Sequence, residues 1–216
     1  MSKIRNLMIA AAALAALSLS PALAAPETYK IDPAHTQAGF SIRHLVSRVQ
    51  GRFRTVGGEI VLDKENWAAS KVTAEIDATS IDTGNEKRDG HLKSDDFFKT
   101  EKNPKITFVS TAVTAPGKDK LIVAGNLTMA GVTKPVTLDV TITGLMPGLA
   151  GFEAKTKVNR QDFGIIWNHT LDAGGVVLGD DVDITITVEA KAPPKDAPPK
   201  ADDKKPAPAP EKKPGK

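Results

Sequence analysis

The chain has 216 residues, 40% of them hydrophobic, with 29 Lys and Arg against 26 Asp and Glu and no cysteine. Without cysteine there is no disulfide framework, thiol nucleophile or lipid-modified cysteine, so stability must come from a core. From Ala25 to Ala190 the balance is 19 basic to 22 acidic residues, and this mildly acidic middle argues against a nucleic-acid surface.

In chain order, the first 24 residues read as an export signal: Lys3 and Arg5 precede an apolar stretch from Leu7 to Leu19, and Ala22-Leu23-Ala24 supplies the small residues of a cleavage site. The apolar stretch is shorter than the roughly 20 residues that cross a bilayer. A periplasmic or secreted location is the expectation. From residue 25 to 190 one domain is expected, built of strands near Tyr29 to Ile31, Ala38 to Leu45, Gly51 to Leu62, Val72 to Thr79, Lys105 to Thr114, Leu121 to Met129, Val136 to Thr143, Phe152 to Val158 and Val182 to Glu189. Apolar residues at every second position recur through them. In Val136, Leu138, Val140, Ile142 against Thr137, Asp139, Thr141, Thr143 the two faces separate cleanly, the pattern of a half-buried antiparallel strand.

Turns are expected at Ala115 to Asp119, at Gly131 to Pro135 and at Gly144 to Gly151, where Gly and Pro cluster. Gly57-Gly58 interrupts the alternation between Phe53 and Ile60, so a bulge or sharp bend is expected there. The segment from Thr83 to Phe98 does not alternate. It predicts a short helix capped by Asn85, with Leu92, Phe97 and Phe98 giving it something to bury across one barrel end. From Lys191 to Lys216 the chain is Lys, Pro, Ala and Asp without a large apolar residue, a composition that stays disordered.

Three stretches carry a resemblance: Arg88-Asp-Gly-His91-Leu-Lys-Ser94-Asp-Asp96-Phe97-Phe98, Gly125-Asn-Leu127 through Val136, and Asn159-Arg160-Gln-Asp162-Phe163-Gly164. The entry Tyr29-Lys-Ile-Asp32-Pro-Ala-His35, followed by Phe40-Ser-Ile-Arg43-His44-Leu45, agrees with them. Together these are similar to the YceI family of secreted bacterial proteins. The resemblance implies an all-β fold, an extended eight-stranded antiparallel lipocalin-like barrel with one short helix, holding a polyisoprenoid or similar amphiphilic chain in its pore. It brings no catalytic residues, and no cofactor beyond the bound lipid. The Lys-Pro-Ala tail falls outside it.

An eight-stranded barrel is either filled by its own side chains or holds one small ligand, so the size of the inward residues decides. Small inward positions are expected at Ala74, Ala78, Ser110, Ala112, Gly125 and Ala154. Parity puts Phe40, Ile42, Val72, Ala74, Ile76, Phe108, Val123, Leu127, Val140, Phe152, Phe163 and Ile165 on inner faces, a lining suited to a hydrocarbon chain. The same residues read as an ordinary core in which small faces large. His44 and His91 are candidates to hydrogen-bond a quinone or phosphate head group; alternatively Arg88, Asp89 and His91 tie the helix to the rim.

Three functions compete at this level: a lipid-binding module, an enzyme using His44, His91 or Asp162 as acid or base, and a structural envelope protein with a filled barrel. Asn159, Arg160 and Asp162 read as a rim ion pair rather than a catalytic cluster, and Trp67 and Trp167 as rim packing or lipid-surface residues. The four histidines show no close metal-binding spacing, so no metal is expected. The expected partners are an isoprenoid lipid, a membrane or envelope surface reached through the basic tail, and a second copy of the chain in a homodimer.

Overall fold

In the computed structural model, residues 25–170 and 176–193 are described. The expected export segment and all but the first residues of the expected tail lie outside them. The described residues form eleven strands and one α-helix, with three single turns of 3-10 helix. The strands are β1 (Glu27–Ile31), β2 (Gln37–His44), β3 (Ser47–Phe53), β4 (Val56–Leu62), β5 (Lys71–Asp77), β6 (Ile81–Asp82), β7 (Lys105–Gly117), β8 (Lys120–Met129), β9 (Val132–Met146), β10 (Leu149–Asn159) and β11 (Leu178–Lys191); α1 spans Glu86–Lys93.

Register reduces the eleven strands to eight staves. β1 and β2 run in the same direction along β11, Ile31 opposite Ala190 and Gln37 opposite Thr187, so they are one stave with Asp32 to Thr36 looped out. β3 and β4 form the next, paired to β2 and β1 respectively, and β5 and β6 the third, paired to β4 and β3. β7 to β11 follow as single antiparallel staves, and the β1–β11 pairing closes the ring. The result is the expected antiparallel eight-stranded barrel, in which each stave lies beside the next in sequence.

The interruption in the second stave falls at Arg54-Thr55, not at Gly57-Gly58 as expected. Inward parity passes from Phe53 to Val56 across those two residues, while Gly57 and Gly58 pair in register with Glu75 and Ala74. Gly58 is still constrained to glycine: it has φ +136°, and an added Cβ would lie 2.1 Å from the Thr73 carbonyl oxygen. The expected reversal over Gly131 to Pro135 is shorter than expected. Met129 pairs with Val132, so Ala130 and Gly131 alone make the turn, both with positive φ, and Pro135 lies within β9 opposite Asn126.

Two packed clusters hold the barrel. One gathers Tyr29, Leu62, Leu121, Ala150 and Ala190 with Trp67 at the end formed by the β7–β8 and β9–β10 hairpins. The other gathers Phe53, Val56, Ile81, Phe97, Met129 and Phe163 at the opposite end, with Leu92 of α1 and Phe98 packed on it. The helix begins where expected: the Arg88 backbone N–H donates to Asn85 Oδ1 at 3.0 Å. Tertiary ties hold it down despite Gly90. Asp89 Oδ1 accepts from the Thr83 N–H at 3.0 Å and its hydroxyl at 2.5 Å, and the Arg88 guanidinium donates to Thr83 Oγ1 at 2.8 Å. Arg88 and Asp89 therefore secure α1 to the chain just past β6.

Candidate functional site

Between the packed ends lies a cavity of about 700 Å³. Its existence shows in the wall itself. Val72, Ala74, Ile76, Val136, Leu138, Ile184 and Ile186 alternate inward, yet all are only half-buried, because the space they face is empty. At the hairpin end Val113, Leu121 and Val123 also line the cavity but are buried, packed in the cluster that closes that end.

Thirteen of the fourteen residues expected at the site line this cavity: Phe40, Ile42, His44, Val72, Ala74, Ile76, His91, Phe108, Val123, Leu127, Val140, Phe152 and Ile165. Phe163 does not. It sits in the 3-10 turn Arg160–Phe163 that follows β10 and is buried in the cluster beneath the helix end. The turn ends the two-residue period, so strand parity no longer says where its side chains point.

Small side chains explain less of the space than expected. Of those six positions only Ala74 and Ala154 line the cavity. Ala112 is exposed, because the register shift between Ser110 and Ala112 rotates the rest of β7 and turns Val113 inward instead. Ser110 accepts the Val72 N–H through Oγ at 2.8 Å, and Ala78 is packed in the 3-10 turn after β5. Gly125 does a different job: a Cβ there would lie 2.4 Å from Phe108 Cζ, so the ring lies across the glycine. Gly51 does the same for Phe40, with 2.3 Å to Cζ. Two glycines thus let two rings lie against the wall.

The lining is asymmetric. Along the barrel it is almost wholly aliphatic and aromatic, while the helix end adds Asn85, Lys87, Arg88, His91, His44 and Arg160, and among the described residues no Asp or Glu lines it. Asn85, Lys87 and His91 are exposed, so the cavity reaches the surface beside α1. The His91 ring meets Phe97 and Trp167 edge-on at 5.0 and 5.2 Å, and its Nε2 lies 2.8 Å from Asp96 Oδ2. Trp167 faces the cavity at this end; Trp67 packs at the other.

Arg160 was expected to pair with Asp162, which is instead exposed. The guanidinium is buried and donates to the carbonyls of Ile165, Trp167 and Gly179 at 2.7, 2.7 and 2.9 Å, and to Asp180 at 3.2 Å. Burial pushes its pKa down and Asp180 opposes that. Arg160 is a clamp that fixes the rim segment to β11. Sequence reasoning also missed a polar knot between groups up to 159 residues apart in sequence. Asp32 and His35 of the looped-out segment meet Glu189 and Lys191 of β11, with the ligand atoms of Asp32, His35 and Glu189 within 4.8 Å of one another. The Lys191 ammonium sits among them and, with His35 and the Ala34 N–H, holds Asp32 well below the usual carboxylate range.

The YceI-like domain profile matches residues 29–190, nearly the whole barrel, from within β1 to the penultimate residue of β11. The chain belongs to the YceI-like domain family. Protein YceI of Escherichia coli O157:H7 is 40% identical over 183 residues, which cover 81% of this chain and 92% of that one. Among solved structures, Burkholderia cenocepacia BcnA superposes with a TM-score of 0.68 at 24% identity, covering 74% of this chain and 99% of that one. A polyisoprenoid binding domain from Saccharophagus degradans, implicated in plant cell wall breakdown, gives 0.62 at 17% identity over 76% of this chain and 98% of its own. At these identities the two structures speak to the YceI-like fold alone.

Proposed function

We propose that this YceI-like protein is a non-enzymatic carrier, periplasmic or secreted, that holds a polyisoprenoid or isoprenoid-quinone-type lipid in the barrel for transport or storage. The observation that carries the proposal is the hollow, apolar lumen with a polar helix end. At about 30 Å³ per heavy atom in a liquid, 700 Å³ accommodates about 20 atoms, roughly four five-carbon units. The polyisoprenoid binding of the Saccharophagus domain supports the choice of ligand.

At about 0.8 kcal/mol per buried carbon, each five-carbon unit taken from water contributes about 3 to 4 kcal/mol before ordering costs. Against a membrane the balance changes, because lipid tails are as apolar as the lumen and exchange is close to neutral. Loading and release then need no energy source. The thirteen lining residues named above are the proposed contacts, with His44 and His91 as the proposed head-group partners.

Incubation of the purified protein with vesicles carrying a labelled polyprenol tests this directly. Label should move into the protein fraction and return to fresh vesicles at a comparable rate. Protein that takes up no label, or that converts it to a new product, overturns the carrier reading.

A further inference from the structure

The rim beside the helix end carries apolar side chains where solvent and turn chemistry both disfavour them. Leu45 and Val46 form the turn between β2 and β3, with His44 opposite Ser47; Leu45 is 40% and Val46 104% exposed. Leu45 has φ 51°, a conformation that favours glycine or asparagine at such a turn. A branched aliphatic residue at positive φ, next to a fully exposed valine, breaks a local rule, and such violations cluster at functional positions.

These residues do not stand alone. The Leu45 N–H donates to the Val177 carbonyl at 2.8 Å and the Val177 N–H to His169 at 3.1 Å, so three segments lie edge to edge along one rim. On the outermost of them Ile166 is 71% exposed between Ile165 and Trp167, which line the cavity. The rim thus turns His44, Ile165 and Trp167 toward the lumen and Leu45, Val46 and Ile166 away from it. Leu145 and Met146 are exposed at the opposite end, but the packed cluster around Ala150 stands behind them.

We propose that this rim is a bilayer-docking surface: Leu45, Val46 and Ile166 enter the acyl-chain region of a phospholipid membrane and set the open end of the lumen against it. The surface is continuous with the cavity, and its chemistry matches the source of the cargo; the inference rests in this respect on the carrier reading. Arg43, which donates to the Leu45 carbonyl at 3.4 Å, stands beside the turn where a cation reaches the phosphate level. Arg48 and the buried Arg160 near this rim are paired with Asp183 and Asp180, and the three side chains that enter the bilayer are uncharged, so docking should be apolar and persist in salt.

The test is co-sedimentation of protein purified from its own cells with phosphatidylcholine vesicles at low and high salt. The expected result is binding that persists at high salt and falls about tenfold in the paired variant Val46→Asp with Ile166→Asp. The variant should keep the wild-type melting temperature and the same bound lipid by native mass spectrometry, since neither side chain faces the lumen. Binding that disappears at high salt would assign it to the basic C-terminal segment and overturn the proposal, as would equal binding by the variant. A concentration-dependent dimer abolished by the variant, with vesicle binding unaltered, would give the rim to a second copy and also overturn it. Salt-resistant docking by protein that never contains lipid would leave the rim assignment standing and remove the carrier reading.

Discussion

Substituting Ala74 by Phe separates a hollow barrel from a filled one. Ala74 lies in β5 opposite Gly58 and Phe108, faces the lumen, and is only half-buried. The change adds six carbons, about 180 Å³ at about 30 Å³ each, or about a quarter of the 700 Å³ cavity. That is slightly more than one five-carbon unit, whose burial contributes about 3 kcal/mol, so affinity for a lumen-filling lipid should fall about a hundredfold. Stability should stay the same or rise, because the ring fills a void. In a packed core the same substitution would cost about 1 to 3 kcal/mol through overpacking. Urea unfolding of lipid-free protein and lipid uptake from vesicles, measured on both forms, distinguish the two. Loss of stability without loss of uptake would refute the reasoning.

Two further predictions rest on the polar groups. Asp32→Asn removes a carboxylate held below its usual pKa by Lys191, His35 and the Ala34 N–H. A depressed carboxylate stabilises the fold above its unfolded pKa of about 4 and loses that contribution as pH falls toward the folded value. The variant should therefore melt lower than wild type at pH 7, with the gap narrowing as pH falls below about 4; a gap constant with pH contradicts the assignment. Arg160→Ala leaves three carbonyls without their charged donor and should cost about 3 kcal/mol in chemical unfolding, with the 165–167 rim gaining hydrogen-exchange rate first. An effect below about 1 kcal/mol would mean that the clamp is dispensable.

The barrel was legible because alternation is local: a period of two, as in β5, β9 and β11, survives any register, and the ten lining residues on strands that parity named follow from it, whereas His44 and His91 were named for their chemistry. Phe163 was misplaced because a 3-10 turn that follows a strand carries no period to mark its start. The bend at Arg54-Thr55 was hidden for a related reason. Two ordinary residues make it, while Gly58 of the conspicuous glycine pair serves a close approach to Thr73. The knot of Asp32, His35, Glu189 and Lys191 depends on closure of the ring by β1 and β11, which no local pattern encodes. Space inside the barrel was inferred from small residues, but much of it depends on Gly51 and Gly125 letting the Phe40 and Phe108 rings lie across the wall. That reading needs to know which residues are neighbours across the strands, Gly51 opposite Phe40 and Gly125 diagonal to Phe108, and sequence alone gives only which face they share.

Native mass spectrometry of protein purified gently from its own cells tests the central claim most directly. The account predicts one bound lipid per barrel, with bound masses stepping by five-carbon units. A barrel that is always empty, and stays empty after exposure to isoprenoid-containing membranes, would contradict it.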